Sequence, residues 1–143
     1  MSPAGLMLLP LSLLAADASP YQAALRDAET NNRPLVVLVG ADWCPGCRTM
    51  KQSVLPSLTR RGALKNVSLA TVDTDREPQL AGRLMRGGTI PQLIVFSRTD
   101  DGAWHREQIT GATSEANVLS LLSRSAPKAP AVAPASTTGA IGN

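Results

Sequence analysis

A short apolar run that leads directly into two cysteines most restricts what this chain can fold into. Residues 35–40 read LVVLVG, and the chain then continues ADW before it reaches Cys44 and Cys47, its only two cysteines. A continuous, valine-rich run of this length is typical of a strand buried on both faces, and such strands usually belong to sheets covered by helices on either side. The fold is therefore expected to place both thiols just beyond the end of a buried strand.

Helical and strand patterns alternate along the rest of residues 19–125. The predicted elements, in order, are a helix capped by Ser19, the strand 35–40, a helix that starts at the cysteines and ends or kinks just before Pro56, a strand at 66–73, a helix at 78–85, strands at 92–97 and 103–110, and a helix capped by Ser114. The short turn RTDDG makes the last two strands antiparallel. This order predicts an α/β fold, a three-layer α/β/α sandwich around a central mixed four-stranded sheet.

Both ends of the chain are predicted to lie outside this domain. Residues 1–18 contain an apolar run at 6–16 and the small-x-small pattern Ala16-Asp17-Ala18, which favours a signal peptide and a periplasmic or secreted protein. No Lys or Arg precedes the run and Pro10 interrupts it, so the alternative is an apolar extension of a cytoplasmic protein. N-terminal sequencing of the mature protein distinguishes the two. Residues 126–143 are rich in Pro, Ala, Ser and Thr, which predicts a disordered tail.

The charge of the chain argues against nucleic acid as a partner. The formal net charge is +3, but the arginines are scattered and form no dense basic run. Aromatic residues make up only 3% of the chain, so no aromatic side chains alternate with the basic ones. The charge is therefore interpreted as a solvated surface, with no nucleic-acid binding.

Two non-catalytic roles for the cysteine pair have little support in the sequence. A structural disulfide stabilises by closing a loop, and two intervening residues close almost none. A structural zinc site usually takes four ligands, whereas this chain has no second cysteine pair and a single histidine, His105. No metal site is therefore predicted within one chain, although a thiolate metal carrier that shares two pairs in a dimer stays open.

A redox couple fits the local sequence better. Cys44 is expected at the N-terminus of a helix, where free N–H groups and the helix dipole stabilise a thiolate. Cys47 lies about one turn later on the same side. Cys44 is the predicted nucleophile that attacks a disulfide, and Cys47 is the predicted resolving thiol. Pro45 limits the freedom of the ring that the two sulfurs close, and Gly46 is expected to remove bulk beside them.

The stretches WCPGC, after LVVLVGAD, and GGTIPQLIVF resemble the thioredoxin superfamily, and RTMKQSVLPSL is similar to its secreted and periplasmic members. The resemblance implies a thioredoxin-like fold and a thiol–disulfide oxidoreductase of the protein-disulfide reductase type, with a role in cell redox homeostasis. It implies that Pro91 is cis and shields the sulfurs from metal, and that Ile90 helps bind extended substrate chain. Trp43, next to Cys44, is expected to cover the sulfurs and contact partners. The expected protein is a monomer without a bound cofactor, and its partners are protein disulfides or thiols and an unidentified redox partner.

The sequence departs from the thioredoxin pattern at a buried acid and a lysine that pairs with it. Leu38 stands where the acid is expected, and the lysine aligns near Leu69, so both positions are expected to be apolar. Proton transfer is then expected to use water or a group such as Asp42. Two other functions remain open: a redox-inactive thioredoxin-fold module that binds peptide, and the thiolate metal carrier.

Overall fold

A computed structural model describes residues 18–126 of the 143-residue chain. The predicted signal peptide and tail therefore lie outside the described residues, apart from Ala18 and Ala126. Over this range, no helix is long and apolar enough to cross a membrane. The helices are α1 (Pro20–Asn31), α2 (Pro45–Thr49), α3 (Leu55–Arg60), α4 (Pro78–Leu84) and α5 (Glu115–Ser125), and the strands are β1 (Leu35–Gly40), β2 (Ser68–Asp73), β3 (Gln92–Arg98) and β4 (Trp104–Thr110).

The four strands form one mixed sheet in the order β2-β1-β3-β4. Strand β1 pairs parallel with β2 and antiparallel with β3, and β3 pairs antiparallel with β4. The prediction of a mixed four-stranded sheet is confirmed. The arrangement leaves β1 in the interior of the sheet, so the residues that follow its last residue, Gly40, emerge from the centre of the domain.

Both faces of the sheet are covered, which explains the continuous apolar run of β1. Leu35, Val37 and Val39 pack on one face with side chains of α1 and α4. Val36 and Leu38 pack on the opposite face with side chains of α3 and α5. Because successive strand residues alternate between faces, a strand with a core on each side needs apolar residues at every position. The three-layer α/β/α sandwich is confirmed.

The helix after the cysteines does not end before Pro56. A π-helical turn at Met50–Val54 joins α2 to α3, so the helical run continues from residue 45 to residue 60. Proline has no N–H to donate, and its ring crowds the preceding turn of a regular helix. A π turn widens the helix at this point, and Pro56 then falls in the first turn of α3, where its missing N–H costs little.

Asp27 links α1 to the buried start of β2. Its carboxylate accepts hydrogen bonds from Ser68 Oγ and from Asn31 Nδ2, the latter at 2.7 Å, and Arg33 lies 3.6 Å away. The Ser68 hydrogen bond is the main reason that the pKa of Asp27 lies below its usual 3.8. Burial opposes this effect, and Asn31 and Arg33 lower the pKa further. A carboxylate whose pKa is lowered by folding stabilises the fold above its unfolded pKa, near 3.9.

We therefore expect stability to fall as the pH drops through the folded pKa of Asp27, and Asp27→Asn to reduce that fall. The unfolded chain binds more protons than the folded one in this window, so acid favours unfolding. Urea midpoints of the two proteins at pH 7 and pH 3 measure the effect: the variant is expected to be less stable at pH 7, with a smaller difference between the two pH values. An equal decrease of the urea midpoint between pH 7 and pH 3 in wild type and variant would contradict this role of Asp27.

Candidate functional site

The two cysteines lie where β1 passes into the helical run. Cys44 is the N-cap of α2, with extended backbone angles, and its Sγ accepts a hydrogen bond from the backbone N–H of Cys47 at 3.2 Å. Pro45 occupies the first helical position, where proline is well tolerated. The sulfurs of Cys44 and Cys47 are joined as a disulfide, with 5.2 Å between the Cα atoms. Both residues are almost completely buried, with 6% of the surface of Cys44 and 4% of that of Cys47 exposed.

Gly40, the last residue of β1, lies directly behind the resolving cysteine. A Cβ atom placed on Gly40 would be 2.8 Å from Cys47 Sγ and 2.9 Å from Cys47 Cβ. These separations are too short for any real side chain, so only glycine permits Cys47 to pack against the end of β1. The sequence pattern predicts Gly40 only as the last residue of a strand. The available signal was a glycine that closes an otherwise branched apolar strand immediately before the cysteines.

The loop before β3 packs against the cysteine pair. Ile90 contacts the cluster formed by Ala41, Cys44 and Cys47, and the Ile90–Pro91 peptide bond is cis. The carbonyl of Pro91 accepts a hydrogen bond from the Gly111 N–H at 2.7 Å. The structure thus brings Ile90 and Pro91 to the cysteines from a position more than forty residues later in the chain.

Gly46 lies against the loop that carries Pro91. A Cβ on Gly46 would lie 3.3 Å from the Ala112 Cβ and 3.4 Å from the Pro91 Cδ. The small size of Gly46 therefore leaves room for the Pro91 loop and for Ala112.

Gln92 anchors the same loop from inside the fold. Its fully buried side chain accepts a hydrogen bond from the Arg86 N–H at 3.1 Å and donates to the carbonyls of Arg86 and Thr89 at 2.9 and 3.0 Å. A buried amide with all these partners holds residues 86–89 in one conformation and so positions the chain that leads to Pro91. Gln92 is not among the predicted site residues, although a lone glutamine at the start of an apolar strand is a detectable signal.

Trp43 points outward from the site. It is 65% exposed, and its Nε1–H donates to Asp75 Oδ2 at 2.9 Å. Asp73 accepts hydrogen bonds from the N–H groups of Asp75 and Arg76, which forms a turn after β2. Neither Asp73 nor Asp75 caps the next helix, because Glu77 is the N-cap residue of α4. Asp75 instead holds the indole ring of Trp43 at the surface beside the cysteines.

A cavity of about 150 Å³ opens beside Cys47. Its lining includes Leu38 and Thr71, which face each other on the paired strands β1 and β2. Leu69, in contrast, pairs with Val36 and is 39% exposed. Thr71, rather than Leu69, is therefore the direct cross-strand partner of Leu38, and the residue opposite Leu38 carries a hydroxyl group.

Charged side chains complete the wall of this cavity. They come from three elements: Asp42 from the loop after β1, Arg48 and Lys51 from the helical run, and Asp73 from β2. Asp42 accepts from Lys51 Nζ at 3.4 Å and, outside the cavity lining, from Arg76 at 2.9 Å. Burial raises the pKa of Asp73, but hydrogen bonds from Asp75 and Arg76 and the charges of Arg76 and Lys51 outweigh it, so the pKa lies below 3.8. Asp73 is therefore ionised at neutral pH.

A metal site was the main chemical alternative for the thiols. Within residues 18–126, no group of three or more His, Cys, Asp or Glu side chains is arranged to hold a metal ion. His105 is exposed on β4, where its Nε2 lies 3.4 Å from Glu107.

The arrangement of the two sulfurs is suited to thiol–disulfide exchange. A disulfide across one helical turn can be opened by an external thiol and closed again with little movement of the backbone. The Cys47 N–H, which bonds to Cys44 Sγ in the disulfide, is available to stabilise negative charge on that sulfur once the bond is open.

Comparison with known proteins agrees with this chemistry. Residues 17–97, more than half of the chain, match the family model described as thioredoxin-like. A thioredoxin from Thermus thermophilus is 28% identical, with a TM-score of 0.59 over 74% of this chain and 83% of that one. Thioredoxin from Fasciola hepatica is 22% identical, with a TM-score of 0.57 over 76% and 95%, and mitochondrial thioredoxin 3 from Saccharomyces cerevisiae is 25% identical, with a TM-score of 0.51 over 69% and 86%. No curated protein matches the sequence.

Proposed function

Because the chain belongs to the thioredoxin-like family, we propose that it is a protein-disulfide reductase that works through the Cys44–Cys47 couple. The observation that carries the proposal is the position of Cys44. Cys44 is the N-cap of the helical run, and its Sγ accepts a hydrogen bond from a backbone N–H. Cys47 lies one turn later, where its thiol can displace a target that is bound to Cys44 as a mixed disulfide. A structural disulfide at this spacing would contribute little, since it closes almost no loop.

The proposed reaction has two exchange steps. The Cys44 thiolate attacks one sulfur of a target disulfide, which forms a mixed disulfide and releases a first thiolate that takes a proton from water. Cys47 then gives up its proton and attacks the Cys44 sulfur. The Cys44–Cys47 bond forms, the second target thiolate leaves, and two electrons have passed from the protein to its target.

Three features around the sulfurs suit an extended polypeptide as the target. Ile90 and Pro91 form a loop against the cysteines, and Gln92 holds that loop from within. Trp43, next to Cys44, exposes a large aromatic surface. Backbone groups of the Ile90 loop would hold the target chain, and Trp43 would contact its side chains.

The rest of the proposal concerns partners and place of action. The couple needs no bound cofactor, but a separate redox partner must reduce it again after each cycle. We further propose that the protein acts as a monomer. We also propose that it acts outside the cytoplasm, because residues 1–18 have a signal-like pattern.

Reduction of insulin by dithiothreitol tests the proposed function, because release of the insulin B chain produces turbidity. We expect the protein to accelerate this reaction well above dithiothreitol alone, and the same protein with both thiols alkylated by iodoacetamide to lose the acceleration. Equal rates for native and alkylated protein would sink the proposal and favour the redox-inactive peptide-binding module. A metal carrier would instead show stoichiometric metal after purification under reducing conditions.

A further inference from the structure

The cavity beside Cys47 contains a cation that no step described above uses. Lys51 follows Cys47 by four residues in the helical run, and both line the cavity of about 150 Å³. The Lys51 ammonium group lies 3.4 Å from Asp42 Oδ1. The two residues of β1 that line the cavity, Leu38 and Gly40, have no side chain that can accept a proton.

We propose that Lys51 is a positioning residue whose positive charge stabilises the Cys47 thiolate during the second exchange step. This inference rests on the proposed function. Cys47 must lose a proton before its sulfur can attack Cys44, and a thiolate in an almost buried position is costly without a nearby cation. The proton leaves to water, for which the cavity is large enough, and passes from there to solvent.

The other charges that line the cavity oppose ionisation of Cys47. Asp42 and the ionised Asp73 both line the cavity, and two carboxylates disfavour the formation of a thiolate. Arg76 pairs with Asp42 but does not line the cavity. Arg48 and Lys51 both line it at exposed positions, but within the described residues only Lys51 pairs with one of these two carboxylates. Removal of Lys51 therefore leaves two carboxylates and one cation in the lining of the cavity.

The two steps can be observed separately with the disulfide reagent DTNB and an excess of reduced protein. Attack by Cys44 releases one molecule of thionitrobenzoate, and attack by Cys47 on the mixed disulfide releases the second. Stopped-flow absorbance gives the rate of each phase, and the pH dependence of the second phase reports ionisation of Cys47. Both phases are measured for wild type, Lys51→Met, Lys51→Arg and Lys65→Met. Lys65 is an exposed lysine in the turn after α3 and does not line the cavity, so Lys65→Met removes the same charge elsewhere.

We expect Lys51→Met to slow the second phase at pH 7 by about two- to tenfold, the size expected for a partly screened charge. Its pH profile is expected to move towards higher pH, and the difference from wild type to shrink at high salt. Lys51→Arg is expected to retain most of the wild-type rate and Lys65→Met all of it.

An unchanged second phase in Lys51→Met overturns the inference and leaves the proposed function intact. Equal slowing in Lys51→Met and Lys51→Arg, with no change in pH profile, also overturns it, since it would mean that the side chain acts through packing. A wild-type protein that releases no thionitrobenzoate overturns the proposed function itself, and this inference with it.

Discussion

Serine in place of Cys44 is expected to abolish the acceleration of insulin reduction, so that the rate falls to that of dithiothreitol alone. A hydroxyl group is not ionised at neutral pH and cannot attack a disulfide. The Cys44 sulfur lies at a helix N-terminus and accepts a hydrogen bond from the Cys47 N–H, and both features stabilise a thiolate. The turbidity assay measures this directly, and circular dichroism serves as the check that the variant is folded.

Serine in place of Cys47 is expected to give a different failure. The first exchange still takes place, but no second thiol is present one turn away to displace the target. The protein then stays joined to its target through Cys44. Non-reducing electrophoresis of Cys47→Ser with insulin should therefore show a covalent complex that dithiothreitol releases, and Cys44→Ser should show none. A complex formed equally well by both variants would contradict the assignment of Cys44 as the nucleophile.

Gly40→Ala is expected to lower the free energy of unfolding of the reduced protein by about 1–3 kcal/mol, the usual cost of forcing a methyl group into a packed core. The added Cβ would be 2.8 Å from Cys47 Sγ and 2.9 Å from Cys47 Cβ, so β1 and the helical run must move apart. Because Cys47 then shifts relative to Cys44, the second phase of the DTNB reaction is also expected to slow. Urea unfolding in the presence of reductant measures the first effect and stopped-flow the second.

Gly82→Ala is the matched control for this prediction. Gly82 lies in α4 with open space around the position of a Cβ, so alanine there is expected to stabilise by roughly 0.5–1 kcal/mol through its better helix propensity. In a double-mutant cycle, part of the cost of Gly40→Ala should disappear when Cys47 is alanine, since the sulfur contact is gone. An unfolding midpoint for Gly40→Ala equal to that of wild type would rule out the proposed steric role of Gly40.

The elements of the fold could be predicted because their signals are local. The strand 35–40 and the helix capped by Ser114 follow from residues within one or two turns of each other, and they are observed at Leu35–Gly40 and Glu115–Ser125. An end of the helix before Pro56, one of the two predicted outcomes, is not observed, because the helical run continues through a π turn at Met50–Val54. Proline disfavours a regular helix, but the local sequence does not show that packing of the flanking residues favours a widened turn over an end.

The residues of the candidate site also differ in whether local sequence identifies them. Cys44 and Cys47 could be identified from their spacing and from the strand before them, and Ile90 and Pro91 only from resemblance to a family. Gly40 was overlooked, because its importance comes from a contact with Cys47 that depends on how the helical run packs on the sheet.

Local signals in the sequence are sufficient to predict a buried strand, a helix that begins at a cysteine pair and an α/β order of elements, because hydrophobic periodicity, caps and prolines act over a few residues. Long-range packing establishes that Thr71 faces Leu38, that Gln92 holds the loop before Pro91, and that a charged cavity opens beside Cys47. These contacts join residues far apart in the chain, and they depend on strand register and on the packing of helices against the sheet, which no short stretch of sequence specifies.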